Sequence, residues 1–320
     1  MSLISVRLQR KRQEAEGICS LELVDAGGRD LPRFSAGSHV DVHLPNGLVR
    51  QYSLCNSASE SHRYLVAVLK DPRSRGGSSA VHDLLQEGDV LPISEPRNHF
   101  ALVPAREVLL FAGGIGITPI LCMAERLAHA DSHFELHYSA RSATCAAFVE
   151  ELRRATFADR VHFHFGDTPG QSRPDLREIL EYPAPERHLF VCGPSGYMNW
   201  IIEAAQLAKW SAENIHKEHF AASVVDTSGD AEFEVQLASS GAVVSVGSRH
   251  SIPEALAAFG IDLPMSCEQG VCGTCLTRVV AGEIDHRDMF LSESEHRRND
   301  QFTPCVSRAK SGCRRIVIDL

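Results

Sequence analysis

Val108-Leu-Leu-Phe-Ala112-Gly113-Gly114-Ile-Gly116-Ile-Thr118-Pro119 is an apolar run that breaks into glycines and then reopens. It reads as a buried strand, a tight turn and the start of a helix. Working outward, the same rhythm repeats. Strands are expected at Val108–Ala112, Phe134–Tyr138, Val161–Phe165 and His188–Cys192, and helices at Thr118–Ala128, Ala146–Arg154, Leu176–Leu180 and Gly196–Ala208. Alternating strands and helices predict a parallel, doubly wound sheet. Glycines at such a strand end let the backbone approach a pyrophosphate at a helix N-terminus. Gly114 and Gly116 match the G-x-G part of the dinucleotide fingerprint, whereas Pro119 stands where the third glycine belongs, a residue suited to a first helical turn. The second loop, Cys192-Gly193-Pro194, follows the last of these strands. Two loops at one carboxyl edge predict a dinucleotide crevice there.

Before Pro104 the pattern is different. Ile4, Val6 and Leu8 alternate with polar residues, and short apolar runs follow at Val40–Leu44, Leu48–Leu54, Tyr64–Leu69 and Asp89–Ile93. Turn residues separate them, which predicts a small antiparallel barrel. On Leu48–Leu54, Arg50 and Tyr52 share a face, so a cation and an aromatic ring could hold a phosphate and cover a flat ligand. Arg75-Gly76-Gly77-Ser78-Ser79 precedes a short helical run and reads as a second phosphate-type turn. Either feature could also be ordinary barrel structure.

The chain has 320 residues, enough for two or three domains, and 43% of them are hydrophobic, which rules out wholesale disorder. Its 41 acidic residues outnumber 32 basic ones, for a net charge of −9, which argues against a nucleic-acid binder. The longest uncharged stretch, Val108–Ala124, holds three glycines and a proline and is too short for a membrane span. The N-terminus shows no apolar secretory core, so the ten cysteines are expected reduced, in the cytoplasm.

Four of those cysteines form a pattern. Cys267-Glu-Gln-Gly-Val-Cys272-Gly-Thr-Cys275, with Cys305 further on, is the C-x4-C-x2-C…C spacing of a plant-type [2Fe–2S] cluster. Gly270 and Gly273 give the loop the dihedral freedom to wrap the cluster. Zinc sites favour paired short spacings, and here the fourth ligand is distant. Cys313 falls outside the pattern. The surrounding segment carries strands at Glu232–Leu237, Val243–Val246 and Arg315–Leu320 and a helix at Ile252–Ala258; the small, polar run from Ala221 to Ala231 reads as a linker.

Taken in order, these motifs resemble the phthalate dioxygenase reductase family, which includes vanillate O-demethylase reductases. The resemblance covers the whole chain: Arg50-Gln-Tyr52-Ser53, Gly76–Ser78, the GGIGITP loop, Cys192–Pro194, the Glu218-His-Phe220 ending and the four-cysteine loop. It implies an FMN-binding antiparallel β-barrel over residues 1–103 and an NAD-binding α/β domain over 104–222. A linker over 223–231 and an α+β, β-grasp ferredoxin domain over 232–320 would follow. By the same resemblance, Arg50, Tyr52 and Ser53 line the flavin, with Ser53 near its reactive nitrogen; Ala67, Val68 and Lys70 flank the ring. Gly76, Gly77 and Ser78 bind the FMN phosphate. Gly113, Gly114, Gly116, Cys192, Gly193 and Pro194 frame the nucleotide, Thr118 lies between flavin and nicotinamide, and Phe220 packs near the isoalloxazine. Ser53, Thr118 and Phe220 stand closest to the chemistry.

For the nucleotide, the residues and the resemblance point to different partners. No carboxylate ends the Phe134–Tyr138 strand to hold a ribose hydroxyl; Arg141 follows instead, and bare chemistry leans toward a 2′-phosphate. Family members carry Arg there while using NADH, so the resemblance implies NADH. The implied activity is electron transfer from NADH through FMN and the cluster to a separate Rieske-type aromatic-ring dioxygenase or demethylase. The expected reductase is a monomer in the cytoplasm, with no nucleic-acid or membrane partner. Short loops around Lys70–Ser78 leave little room for the adenine of FAD. The alternatives are a flavin and iron–sulfur relay or sensor without NADH turnover, and a self-sufficient enzyme, for which no segment large enough remains.

Two further features stand apart. His162 and His164 share one strand face and could ligate a metal, but no third ligand is apparent in the sequence, so they read as partly exposed strand residues. Ser292–Arg298 reads as a solvated helical turn or, alternatively, as a contact for a redox partner.

Overall fold

A computed structural model describes residues 3–72, 74–167, 173–220 and 227–320. The chain divides into two compact units, Met1–Phe220 and Ala221–Leu320. Among the described residues, no helix is long and apolar enough to cross a membrane.

The first unit begins with β1 (Leu3–Ala15), β2 (Ile18–Asp25), β3 (Ser38–His43), β4 (Val49–Ser53) and β5 (Tyr64–Leu69). The helix α1 (Gly77–Asp83) and strands β6 (Val90–Ser94) and β7 (Arg97–Asn98) follow. The antiparallel order is β4-β3-β6-β1-β2-β5, with β7 beside β3. The two end strands meet through a single bridge, Leu54 to Val66, so the sheet curls into the expected barrel. Alternation puts Val6, Leu8, Leu21, Leu23, Val40, Val42, Val66 and Ile93 inside, all essentially inaccessible. Lys11 reaches from β1 to the last turn of α1 and donates to the carbonyls of Val81, His82 and Leu85 at 2.7–2.9 Å. A lysine there satisfies carbonyls that the helix end leaves open.

The parallel sheet follows in the same unit. Its parts are β8 (Glu107–Gly113), α2 (Ile117–His129), β9 (His133–Ala140), α3 (Val149–Arg154), β10 (Val161–Phe165), α4 (Leu176–Ile179), β11 (Arg187–Cys192), α5 (Ser195–Leu207) and β12 (Ile215–Glu218). The order is β10-β9-β8-β11-β12, all parallel. Because side chains alternate along β8, Val108, Leu110 and Ala112 pack against α2, while Leu109 and Phe111 pack with Met198, Ile201 and Ala205 of α5. Helices therefore cover both faces, the doubly wound arrangement expected from the sequence. The strand order reverses between β8 and β11, which is where such sheets bind ligands.

The second unit contains β13 (Phe233–Leu237), β14 (Val243–Val246), α6 (Ile252–Ala258), β15 (Thr277–Ala281), β16 (Ile284–Asp285), α7 (Glu293–Arg298), β17 (Gln301–Phe302), β18 (Arg308–Ala309) and β19 (Arg315–Asp319). The mixed sheet runs β14-β13-β19-β15-β17, with β13 and β19 parallel. Phe233, Val235, Val246, Ile252, Leu256, Phe302, Ile316 and Ile318 form its own core. Both helices start with a capping box, Ser251 with Glu254 and Ser292 with Glu295. The second of these is the helical turn expected at Ser292–Arg298. Buried Arg308 donates to the carbonyls of Ala231, Gly247 and His250 and pairs with Asp230, which Arg287 also grips at 2.6 Å. Of the expected linker, residues 223–226 lie outside the described residues, whereas Asp230 is part of this ion-paired network.

Candidate flavin, nucleotide and iron–sulfur sites

Arg50 lies on β4 and Gly77 opens α1, 27 positions later, yet the two touch. A side chain on Gly77 would stand 2.7 Å from Arg50 Nε and 2.8 Å from its Cγ, so the glycine makes room for the guanidinium arm. Gly76 has φ +96°, a conformation that favours glycine. Asn46 donates to the Gly76 carbonyl at 3.1 Å, and the Asp71 amide donates to Ser78 Oγ at 3.1 Å. A cation beside a glycine turn at a helix start fits a phosphate monoester. Tyr52, two residues from Arg50, is half-buried, and burial pushes its phenol up, so the ring stays neutral.

Ala67 and Val68 are both buried on β5 but belong to different cores, so their side chains face opposite ways. At most one of them can meet a flat ligand with its side chain. Lys70 pairs with Asp83 at 2.6 Å on the surface.

At the carboxyl edge of the parallel sheet, the two expected nucleotide loops pack on each other. A Cβ on Gly116 would stand 2.3 Å from the Cys192 carbonyl oxygen, and one on Gly193 would stand 2.9 Å from the Gly113 Cα. One on Gly113 would meet Tyr197 at 2.7 Å and Pro194 at 3.1 Å. Gly114, with φ +54°, meets nothing within 4 Å and faces open space. This juxtaposition leaves bare backbone at the switch point. Thr118 is buried, and its hydroxyl donates to the Ile115 carbonyl at 3.1 Å, closing the loop onto α2. Pro119 sits in the first turn of α2, where its missing N–H costs nothing. Arg141 is exposed just beyond β9.

The sequence motifs included Glu218 without giving it a role. β12 places it beside Cys192 in the parallel register, and Ser53 Oγ donates to its carboxylate at 3.5 Å. Burial pushes the Glu218 carboxyl up to about 8, so it holds a proton at neutral pH. Cys192 is buried there too, and desolvation, with Glu218 second, pushes its thiol up. Ser53 and Glu218 thus join the barrel to the parallel sheet within the first unit. Their 165-residue separation explains why local patterning could not pair them. Phe220, two residues on, is 39% exposed, leaving a ring face available for stacking.

In the second unit, Cys267, Cys272 and Cys275 are buried and Cys305 is partly open. The Cys267 thiol hydrogen-bonds with those of Cys272 and Cys305, and Cys275 with Cys305, so all four sulfurs converge. Proton sharing among the four thiols draws Cys267 toward the thiolate. Backbone amides of Gln269 and Thr274 point at Cys267 and Cys272 sulfurs, at 3.3 and 3.5 Å. Gly270 and Gly273 both have φ +67°; a side chain on Gly273 would run into the Phe290 ring at 2.3 Å. Convergent thiols with amide donors fit a cluster held by four thiolates. Cys313 instead donates to the Arg315 carbonyl at 3.2 Å.

Comparison with known proteins agrees with this geometry. Residues 235–310 match the 2Fe-2S iron-sulfur cluster binding domain. The chain is 52% identical to the vanillate O-demethylase oxidoreductase of Pseudomonas putida, over 99% of its own length and all of the relative's. It is 37% identical to the phthalate dioxygenase reductase of Burkholderia cepacia, over 99% and 97% of the two chains. A solved phthalate dioxygenase reductase, described as a modular structure for electron transfer from pyridine nucleotides to [2Fe-2S], superposes with a TM-score of 0.78. It covers 100% of this chain and 98% of that one at 37% identity. Full-length likeness of this order, with barrel, parallel sheet and four-cysteine loop in the same sequence, makes the chain a member of the phthalate dioxygenase reductase family.

Proposed function

We propose that this protein is the reductase component of a Rieske-type oxygenase system, taking electrons from NADH and delivering them singly to a separate aromatic-ring dioxygenase or demethylase. The observation that carries the reading is the presence, on one chain, of a two-loop nucleotide edge and four convergent thiols, preceded by a barrel with a phosphate-type cradle. A relay subunit without NADH turnover would not need the Gly116–Cys192 packing that frames the nucleotide edge.

Within this reading, residues 1–103 form the FMN lobe, 104–222 the NAD lobe and 232–320 the ferredoxin domain, with 223–231 between. Arg50, Gly76, Gly77 and Ser78 hold the FMN phosphate. Tyr52, Ser53, Lys70 and the Ala67–Val68 backbone border the ring. Gly113, Gly114, Gly116, Cys192, Gly193 and Pro194 frame NADH, and Arg141 lies beside its adenosine end. Cys267, Cys272, Cys275 and Cys305 ligate the cluster. Bound FMN supplies a carrier that accepts two electrons together and releases them one at a time. The chain's part is to place the rings and manage a proton. Thr118, whose hydroxyl closes the loop onto α2, would hold that backbone between flavin and nicotinamide, and the exposed Phe220 ring would be free to stack on the flavin. Ser53 would present its hydroxyl to the flavin, and the neutral Glu218 bonded to it would keep a proton within hydrogen-bond reach. Ten cysteines without a disulfide suit a reducing cytoplasm, where the protein acts as a monomer.

The test is an anaerobic titration with NADH followed by visible absorbance. Both flavin and iron–sulfur bands should bleach, and NADPH should be markedly less effective. Flavin bleaching with a persistently oxidised cluster would break the proposed route, and no response to either nucleotide would leave only the relay reading.

A further inference from the structure

His162 and His164 of β10 have neighbours that the local sequence does not reveal. Parallel pairing sets His162 directly beside His137 of β9, and Glu135 lies two residues before His137 on the same face. Glu135 Oε2 stands 3.4 Å from His137 Nε2 and 3.9 Å from His162 Nε2, and the three ligand atoms lie within 4.8 Å of one another. The third ligand missing from the sequence reading is supplied by the adjacent strand.

We propose that β9 and β10 carry a binding site for a divalent transition-metal ion of the zinc class, ligated by Glu135, His137 and His162, with His164 orienting His137. The His137 side chain is only 5% exposed, and its Nε2 has no hydrogen-bond partner among the described residues although it is aimed at Glu135 and His162. A buried polar atom in that state is costly unless something binds it. Its other nitrogen, Nδ1, lies 3.2 Å from His164 Nε2. With Nδ1 donating to His164, Nε2 carries the lone pair, the same arrangement by which outer groups orient metal-ligating histidines. Phe111 stacks on the His137 ring at 5.1 Å and fixes its plane.

The chemistry of the set suits such an ion. Imidazoles with one carboxylate select zinc, copper, nickel or iron over calcium or magnesium. Zinc–nitrogen bonds of ~2.1 Å put tetrahedral neighbours ~3.4 Å apart, the separation Glu135 and His137 already have. His162 and Glu135 are each 44% exposed, so they have room to close on an ion. The His137 and His162 rings are now stacked at 4.8 Å, so His162, the exposed partner, must turn its ring toward Glu135 on binding. Solvent fills the remaining position. Because β10 is an edge strand, the ion would clasp it to β9 without touching either nucleotide loop.

The experiment uses the tag-free, cluster-loaded full chain and Zn2+ alone, by calorimetric titration after dialysis against a chelator. One Zn2+ per chain should bind with the iron–sulfur absorbance unchanged and the unfolding midpoint raised. Glu135→Gln and His162→Ala, both at half-exposed positions, should each weaken binding at least tenfold, and His164→Ala should weaken it less. Co2+ should give visible ligand-field bands in the parent that are lost in His162→Ala, while NADH reduction of the flavin is retained. Equal zinc affinity in parent and His162→Ala would overturn the site. So would loss of zinc on His286→Ala, which would place binding at the separate His286, Asp288 and His296 group. Zinc uptake only as the cluster bleaches would likewise overturn it, since the cysteines would then be the ligands.

Discussion

Glu218 shows what a single residue can add to a site assembled from motifs. Its proton is retained in the folded protein up to about pH 8, whereas an unfolded glutamate releases it near 4.5. The unfolded state therefore binds fewer protons across that window, and folding stability falls as pH rises from about 4.5 through 8, levelling off above. Replacing it by Gln removes the titration. Glu218→Gln should flatten the decline of stability, read as the thermal midpoint, between pH 5 and 8, a difference on the order of 3–4 kcal/mol across that window. The same variant should slow flavin turnover most strongly at neutral pH, because Ser53 then faces an amide, which has no acidic proton to give. A midpoint profile parallel to the parent's would show that Glu218 does not carry the shifted proton.

At the scale of elements, the glycines that matter are those where backbone meets backbone or ring. Gly116→Ala would press a methyl into the Cys192 carbonyl at 2.3 Å, and neither partner is a flexible side-chain end. Overpacking of this kind costs ~1–3 kcal/mol, and it should appear as a raised KM for NADH with flavin content preserved. Gly273→Ala meets the Phe290 ring and an unfavourable φ together. It should lower cluster occupancy, read as visible absorbance per protein, while NADH still reduces the flavin. Elements with strong periodicity were legible in the sequence, but the strand Ile18–Asp25 was not among those expected, and the helix expected at Ala146–Arg154 begins only at Val149. The strands Tyr64–Leu69, Val161–Phe165 and Val243–Val246 and the helix Ile252–Ala258 lie where the pattern put them. The two-residue strands Ile284–Asp285 and Arg308–Ala309 carry no period at all, and Thr277–Ala281, directly after the cysteine loop, has too short an alternating run to stand out from it. The cysteine spacing and the glycine turns are local signals and could be read directly. Arg50 against Gly77, Ser53 against Glu218 and His162 beside Glu135 are products of strand pairing or packing, and no local pattern encodes them.

Across the whole molecule, cysteine is distributed according to role. Cys19, Cys55, Cys122 and Cys192 are buried in the first unit, and desolvation pushes each thiol up, away from the reactive thiolate. Cys145 and Cys313 are partly open, and four more converge on the iron–sulfur loop. In the native, fully loaded protein, a thiol-alkylating reagent therefore has two sulfurs within reach; loss of iron, which leaves the cysteine loop free to open, raises that to six. Intact mass after brief alkylation should shift by two adducts for loaded chains and by up to six for stripped ones, with intermediate masses absent if the cluster is lost as a unit. Four or more adducts on a preparation whose iron is complete would contradict the ligand set. The arrangement gives the protein an internal tally of its iron, readable chain by chain in a mixed population where colour reports only the average.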